Sequence, residues 1–252
     1  MGAVERPAFV DCHSHVLPSG DDGASTVAEG GVLCREAARR GTKILFATPH
    51  VWPQLPLTAE REEEVRARFA ELAPRAGLEL RLGFELTPSR ALLGDDLRRY
   101  TLDGTDRVLM EVPFVGSHKS LVRLAERAES QGLLPVVAHP ERATAVLTAP
   151  DLAWELGERG WPLQVNASSL LGRHGPAIEE LAWQLAESGA ATLVASDGHR
   201  QTRPPHLDEA WAAVAGRLDA RRARPLFDGS ALGLAAATSP RPTPSRAATR
   251  DA

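Results

Sequence analysis

Short apolar runs recur along the chain, and each is followed by a polar residue suited to chemistry. Residues 8–12, 43–48, 78–85, 107–111, 134–139, 162–166 and 191–195 read as strands. Most are continuously apolar, the pattern of strands buried on both faces. Between them lie stretches with helical spacing. Thr26 and Glu29 have capping-box spacing, Val27, Leu33 and Ala37 supply apolar positions, and Gly41 ends that helix. Residues 58–73 place Val65, Phe69 and Leu72 on one side, with Glu60, Glu62, Glu63 and Glu64 in a solvated first turn. Further helices are expected at about 117–130, 151–158, 176–188 and 207–218, the third opened by Pro176. Strands alternating with helices predict an α/β fold with a parallel sheet covered by helices. Seven such units suggest a TIM-like (β/α)7 barrel, closed or distorted, more than an open sheet.

Length and charge narrow the picture. The 252 residues suit one large α/β domain, here residues 8–234. Residues 235–252 are Ala, Thr, Ser, Pro and Arg without periodicity and read as a disordered basic tail. A net charge of -4 argues against a general nucleic-acid binder. No apolar run approaches the roughly 20 residues of a membrane span, so direct membrane insertion is not expected. With two cysteines, no disulfide framework and no signal peptide, the expected setting is the cytoplasm. Cys34 and Arg40 formally match the Cys-x5-Arg phosphate loop. The residues between them are helix formers without glycine, so Cys34 is read as buried helix packing.

The candidate chemistry lies at the strand ends. His13 and His15 are one residue apart and share a side of the first strand, while Cys12 points the other way, into the core. His50 follows the second strand, Glu85 ends the third, Glu111 the fourth and His139 the fifth. Asn166 ends the sixth, and Asp197 and His199 follow the seventh. In an α/β barrel these ends converge on one face, where active sites are built. Five imidazoles and several carboxylates are too many for one zinc ion and suit two or three divalent ions, with Glu85 as a bridge. Nitrogen and oxygen ligands without thiolates fit Mn, Fe or Zn. Such a cluster generates metal-bound hydroxide and clamps an oxyanion, which points to phosphoester hydrolysis.

These residues carry a family resemblance. Asp11-Cys12-His13-Ser14-His15 with Asp21-Asp22-Gly23, Thr48-Pro49-His50, Gly83-Phe84-Glu85, Glu111-Val112-Pro113, His139-Pro140-Glu141-Arg142 and Ser196-Asp197-Gly198-His199 resemble the PHP (polymerase and histidinol phosphatase) superfamily. Within it they are most similar to bacterial capsule-associated metal-dependent protein-tyrosine phosphatases. The resemblance covers roughly residues 8–218 in order. It implies a distorted barrel of PHP type with a trinuclear site, manganese first among the candidate metals. It places His13, His15, Glu85 and Asp197 on one metal, Glu85, Glu111 and His139 on a second, and Asp22, His50 and His199 on the third. Asp22 is chosen over Asp21 by its distance from His15, and Asp21 is expected to shape the turn. Arg142 and Arg203 match positions expected to bind the substrate phosphate, in keeping with the fit of guanidinium forks to phosphate oxygens. The implied substrate is a phosphotyrosine protein, with a tyrosine kinase of polysaccharide export as a partner and capsule or exopolysaccharide regulation as the setting.

Other readings compete with this one. A small-molecule phosphatase of the same superfamily, such as one acting on histidinol phosphate, would use the same site. The Asp21-Asp22-Gly23 stretch and the run from Arg203 to Ala210 favour the tyrosine-phosphatase branch. A metal-dependent amidohydrolase also starts with His-x-His, but that family usually has lysine where this chain has Glu111. A metal-bound regulatory module would require a broken ligand position, and none is found. His118, His174 and His206 are assigned surface roles, with His206 near enough in sequence to touch substrate.

Overall fold

The computed structural model describes residues 6–234. The expected tail at 235–252 lies outside them. Strand β1 (Phe9–Asp11) is followed by helix α1 (Val27–Arg39), β2 (Thr42–Ala47), β3 (His50–Val51) and α2 (Ala59–Leu72). Then come β4 (Glu79–Leu82), β5 (Glu85–Leu86), β6 (Arg107–Glu111), α3 (Lys119–Ser130) and β7 (Leu134–Ala138). The chain continues through α4 (Thr144–Thr148), α5 (Asp151–Glu158), β8 (Leu163–Asn166), α6 (Ala167–Leu170), α7 (Pro176–Ser188) and β9 (Ala191–Ala195). It ends with α8 (Asp208–Leu218) and α9 (Ala220–Ala223). Caps fall where the sequence signals them. Thr26 accepts from the Glu29 backbone N–H at 3.1 Å, and Thr58 from that of Arg61 at 3.2 Å.

All ladder pairings are parallel, in two sheets ordered β1-β2-β4 and β3-β5-β6-β7-β8-β9. The second and third expected strands are therefore each broken in two. Pro49 lacks the N–H that would continue β2 into β3. Gly83 separates β4 from β5, and a Cβ there would sit 2.6 Å from the Leu102 side chain. Backbone bonds nevertheless cross both breaks, from Gly83 N–H to Ala47 O at 2.9 Å and from Glu85 N–H to Pro49 O at 3.2 Å. The breaks act as a kink that turns His50 and Glu85 toward one another.

Strands pair in chain order within each sheet, and among the described residues no ladder joins β9 to β1. One parallel bridge, Ser14 with Gly198, spans the gap. Backbone bonds from Asp197 N–H to His13 O (2.9 Å) and from His15 N–H to Gly198 O (2.6 Å) reinforce it. Asp11 accepts from Ser196 N–H at 3.0 Å, so its buried carboxylate ties the two strand ends. Burial pushes that carboxyl up to about 6.

Alternate strand residues fill two apolar layers. Val10, Cys12, Phe46, Leu109, Val136 and Leu193 form part of one cluster. The larger cluster packs the opposite strand faces against the helices. Phe9, Trp211 and Phe227 meet in it, with ring centroids 5.6–6.1 Å apart, and fix α8 against β1. Cys34 is buried within this layer, and its thiol is pushed up to about 12 by burial, which removes any thiolate nucleophile. No helix among the described residues is long and apolar enough to cross a membrane.

Candidate metal centre

The C-terminal strand ends meet in one buried cluster. His13 Nε2 and His15 Nε2 face each other at 3.1 Å. Both face Glu85 Oε2, at 3.1 and 3.3 Å, and Asp197 Oδ1, at 3.6 and 3.4 Å. Glu85 reaches outward from this group, with Oε1 3.0 Å from His139 Nε2 and Oε2 2.8 Å from His50 Nδ1. Asp22 Oδ1 lies 3.4 Å from His50 Nε2 and 3.2 Å from His199 Nε2. Three sets of donor atoms lie within 4.8 Å of one another: His13, His15 and Asp197; His13, Glu85 and His139; His15, His50 and His199. Glu111 lines the same cleft and belongs to none of the three sets. Its carboxylate accepts from the Thr87 hydroxyl.

Two of the imidazoles have their tautomer fixed from behind. His13 Nδ1–H donates to Gln164 Oε1 at 2.9 Å. The Gln164 amide donates to Asn166 Oδ1, and the Asn166 amide to Asp197 Oδ2, both at 2.8 Å. His199 Nδ1–H donates to the Asp197 backbone carbonyl at 2.9 Å. In both rings the engaged Nδ1–H leaves Nε2 as the nitrogen that faces the cluster, the orientation that outer hydrogen bonds impose on metal-binding imidazoles.

Protons alone do not satisfy this cluster. Glu111 Oε2 and His15 Nδ1 are buried without a hydrogen-bond partner among the described residues, and Glu85 Oε2 and His50 Nδ1 meet as an ion-pair contact without hydrogen-bond geometry. Leaving such groups unpaired is costly. A divalent cation among converging lone pairs and carboxylates removes the cost, so the donor set fits metal. The electrostatics agree. Burial opposes ionisation of Glu85 and Asp197, yet the facing imidazoles, His13 foremost, hold both carboxyls well below their usual range. Burial, with His15 beside it, depresses His199 to about 4 and keeps it neutral. Burial lowers the His50 imidazole, but Glu85 outweighs it and lifts His50 to about 9. Glu111 is raised by burial and by the Glu85 charge.

The backbone is distorted where His139 and Asp197 turn into the cluster. His139 and Asp197 have φ of 29° and 49° although neither is glycine. Each such residue costs about 1–3 kcal/mol. The seam bond from Asp197 N–H to His13 O, and that from Arg142 N–H to His139 O at 3.0 Å, hold the two residues there.

Over the cluster opens a cleft of about 300 Å³. Arg142 lines it and donates to Asp197 Oδ2 at 2.8 Å. Arg203 lines it with Nη2 2.8 Å from His199 Nε2 and 3.7 Å from Asp197 Oδ1. Asp21 lies beneath the rim. It accepts from His50 N–H at 3.0 Å and Gly23 N–H at 3.1 Å, which shapes the turn that presents Asp22. A larger cavity of about 510 Å³ between Trp154 and Trp161 holds none of the cluster residues.

Two aromatic walls of the cleft escape the strand-end pattern. Trp52 stacks on His50 with centroids 4.3 Å apart, and Phe114 stacks on His139 at 5.5 Å beneath the Arg142 guanidinium. Trp52 could have been found, because it stands two residues beyond His50 and shares its side. Phe114 sits in an irregular loop with no periodic signal. The remaining histidines stay out of the ligand cluster. His206 lies 3.1 Å from Glu36 on α1 and does not line the cleft. His174 bonds Ser168 at 2.8 Å, and His118 precedes α3 without a side-chain cap bond.

Residues 9–232 match the model of a family described as capsular polysaccharide synthesis, CpsB/CapC. The chain belongs to the CpsB/CapC family. The tyrosine-protein phosphatase YwqE of Bacillus subtilis is 31% identical over 220 residues, which cover 80% of this chain and 82% of YwqE. A crystal structure from a study of YwqE and of CpsB from Streptococcus pneumoniae, described there as unique metal-dependent tyrosine phosphatases, matches with a TM-score of 0.75. It is 28% identical and covers 86% of this chain and 91% of its own. An inactive dihydroorotase-like domain from Chaetomium thermophilum matches with a TM-score of 0.60 at 10% identity, covering 91% of this chain and 80% of its own. That second likeness concerns the fold alone and lends no weight to an amidohydrolase.

Proposed function

We propose that this chain is a metal-dependent protein-tyrosine phosphatase that controls capsule or exopolysaccharide synthesis. The observation that carries the reading is the His13–His15–Glu85–Asp197 convergence beneath two arginines and between two aromatic walls. Family membership and the likeness to YwqE support it. In this reading the fold is a distorted (β/α)7 barrel forming one domain over residues 8–234. The metal ligands are His13, His15, Asp22, His50, Glu85, Glu111, His139, Asp197 and His199, holding two or three divalent ions, with Mn preferred to Fe or Zn. The substrate is a phosphotyrosine protein in the cytoplasm, a polysaccharide-export tyrosine kinase foremost.

Such ions supply positive charge against phosphoryl oxygens and acidify a water toward neutral pKa. The protein supplies the rest. Arg142 and Arg203 present guanidinium forks to the phosphoryl oxygens, where charge builds during transfer. Asp197 holds Arg142 in place through its Oδ2. Trp52 and Phe114 give a phenyl ring apolar faces at the mouth of the cleft. Phenolate, with a pKa of about 10, leaves with less acid assistance than an alkoxide. No unengaged general acid is therefore needed opposite the ring.

The test is phosphate release by metal-loaded protein from two peptides of one sequence, carrying phosphotyrosine or phosphoserine. The reading predicts strong preference for phosphotyrosine. Equal rates on both, or faster release from histidinol phosphate, would move the function to a broader or small-molecule phosphatase.

A further inference from the structure

A third cavity, of about 350 Å³, lies between the segments that leave β5 and β6. Pro88, Ser89 and Arg90 form one side and Ser120 and Arg123 the other. Its place beside the cleft follows from the chain. Pro88 directly follows Thr87, whose hydroxyl donates to Glu111, and α3 begins just beyond the Phe114 loop. Arg90 and Arg123 are both exposed, and neither guanidinium has a hydrogen-bond or ion-pair partner among the described residues. Nearby carboxylates are already engaged. Asp95 pairs with Arg99 and accepts from Tyr100, and Glu126 pairs with Arg159. The start of α3 adds to the positive field, because its first turn has no acidic residue and begins with Lys119. In a chain of net charge -4, this is a locally cationic hollow with two hydroxyls at its edge.

We infer that this hollow is a second anion subsite, which holds a carboxylate or a second phosphate on a residue near the scissile phosphotyrosine of the substrate protein. The inference rests on the phosphatase reading above and adds a sequence preference to it. Paired guanidinium forks match either oxyanion. The loop between cleft and hollow exposes Phe114 and Val115, at 42% and 84%, as an apolar surface for the intervening peptide to cross.

The experiment uses metal-loaded protein and three sets of phosphotyrosine peptides: neutral flanks, aspartate placed in turn at neighbouring positions, and a second phosphotyrosine placed likewise. We expect kcat/KM about tenfold higher for the best anionic peptide than for the neutral one, carried by KM and weakened by salt. Whether aspartate or the second phosphotyrosine gains more identifies the natural anion. In R90A/R123A the ratio of anionic to neutral kcat/KM falls to about one. In R90E/R123E it inverts, and lysine-flanked peptides are preferred. Equal wild-type kcat/KM across all sets, or a preference that survives both double variants, overturns the subsite and leaves the phosphatase reading standing. Failure to release phosphate from any phosphotyrosine peptide, with another phosphomonoester hydrolysed, overturns both.

Discussion

Gln164 fixes which nitrogen of His13 faces the cluster: its side-chain carbonyl accepts the Nδ1 proton at 2.9 Å, and Nε2 is left facing Glu85 and Asp197. Gln164 hydrogen-bonds His13 and Asn166 from behind the cluster, so its role is positioning. Gln164→Ala should lower metal affinity about 10–100-fold, the usual effect of losing such a partner. Metal titration followed by calorimetry reads this directly. Gln164→Glu restores an acceptor and should recover most of the affinity.

His13 and His15 together should be indispensable for retention of metal. The H13A/H15A double variant removes the two facing Nε2 atoms and should abolish both metal retention and turnover, while the apolar layers keep the fold. Metal content by mass spectrometry and circular dichroism separate loss of metal from loss of structure. Near-normal rates in this variant would contradict the proposed chemistry.

Trp52 and Phe114 should set the preference for aryl over alkyl phosphates. Truncating both to alanine removes two ring faces, each worth about 0.5–1.5 kcal/mol beyond buried area. The expected result is a KM for phenyl phosphate raised about tenfold or more, with the KM for an alkyl phosphate little changed.

His174 should contribute a pH-dependent share of stability. Burial, then the nearby Arg142 and Arg203, depress its imidazole to about 4 from 6.5, against weaker opposition from Asp197. Below 6.5 the unfolded chain takes up a proton that the folded chain refuses, so stability rises with pH across this window. The contribution is fully present above pH 6.5 and is lost as pH falls to about 4. Bound cations would push the imidazole in the same direction. His174→Gln should flatten the pH dependence of the thermal midpoint between those limits.

The strand-end histidines and carboxylates were legible in the sequence because a parallel α/β fold sends every strand end to one face. One residue per strand was then enough to see the site. The family resemblance groups Asp22 with His199, and the structure brings them within 3.2 Å. The kinks at Pro49 and Gly83 were not legible as sheet breaks. The Gly83 break depends on a tertiary neighbour, Leu102, and hydrogen bonds bridge both interruptions so that each expected strand keeps its direction. The incomplete β9–β1 seam was hidden for a similar reason, since strand count does not reveal which edges pair. Gln164 and Phe114 act through side-chain contacts that span the fold, and no local period records those.

The most direct measurement strips the protein of metal, reloads it with Mn and follows phosphate released from a phosphotyrosine peptide per ion bound. The account predicts no release from the stripped protein, and rates that rise with two or three ions per chain. Full activity in the stripped protein, or no release at full occupancy, would contradict it.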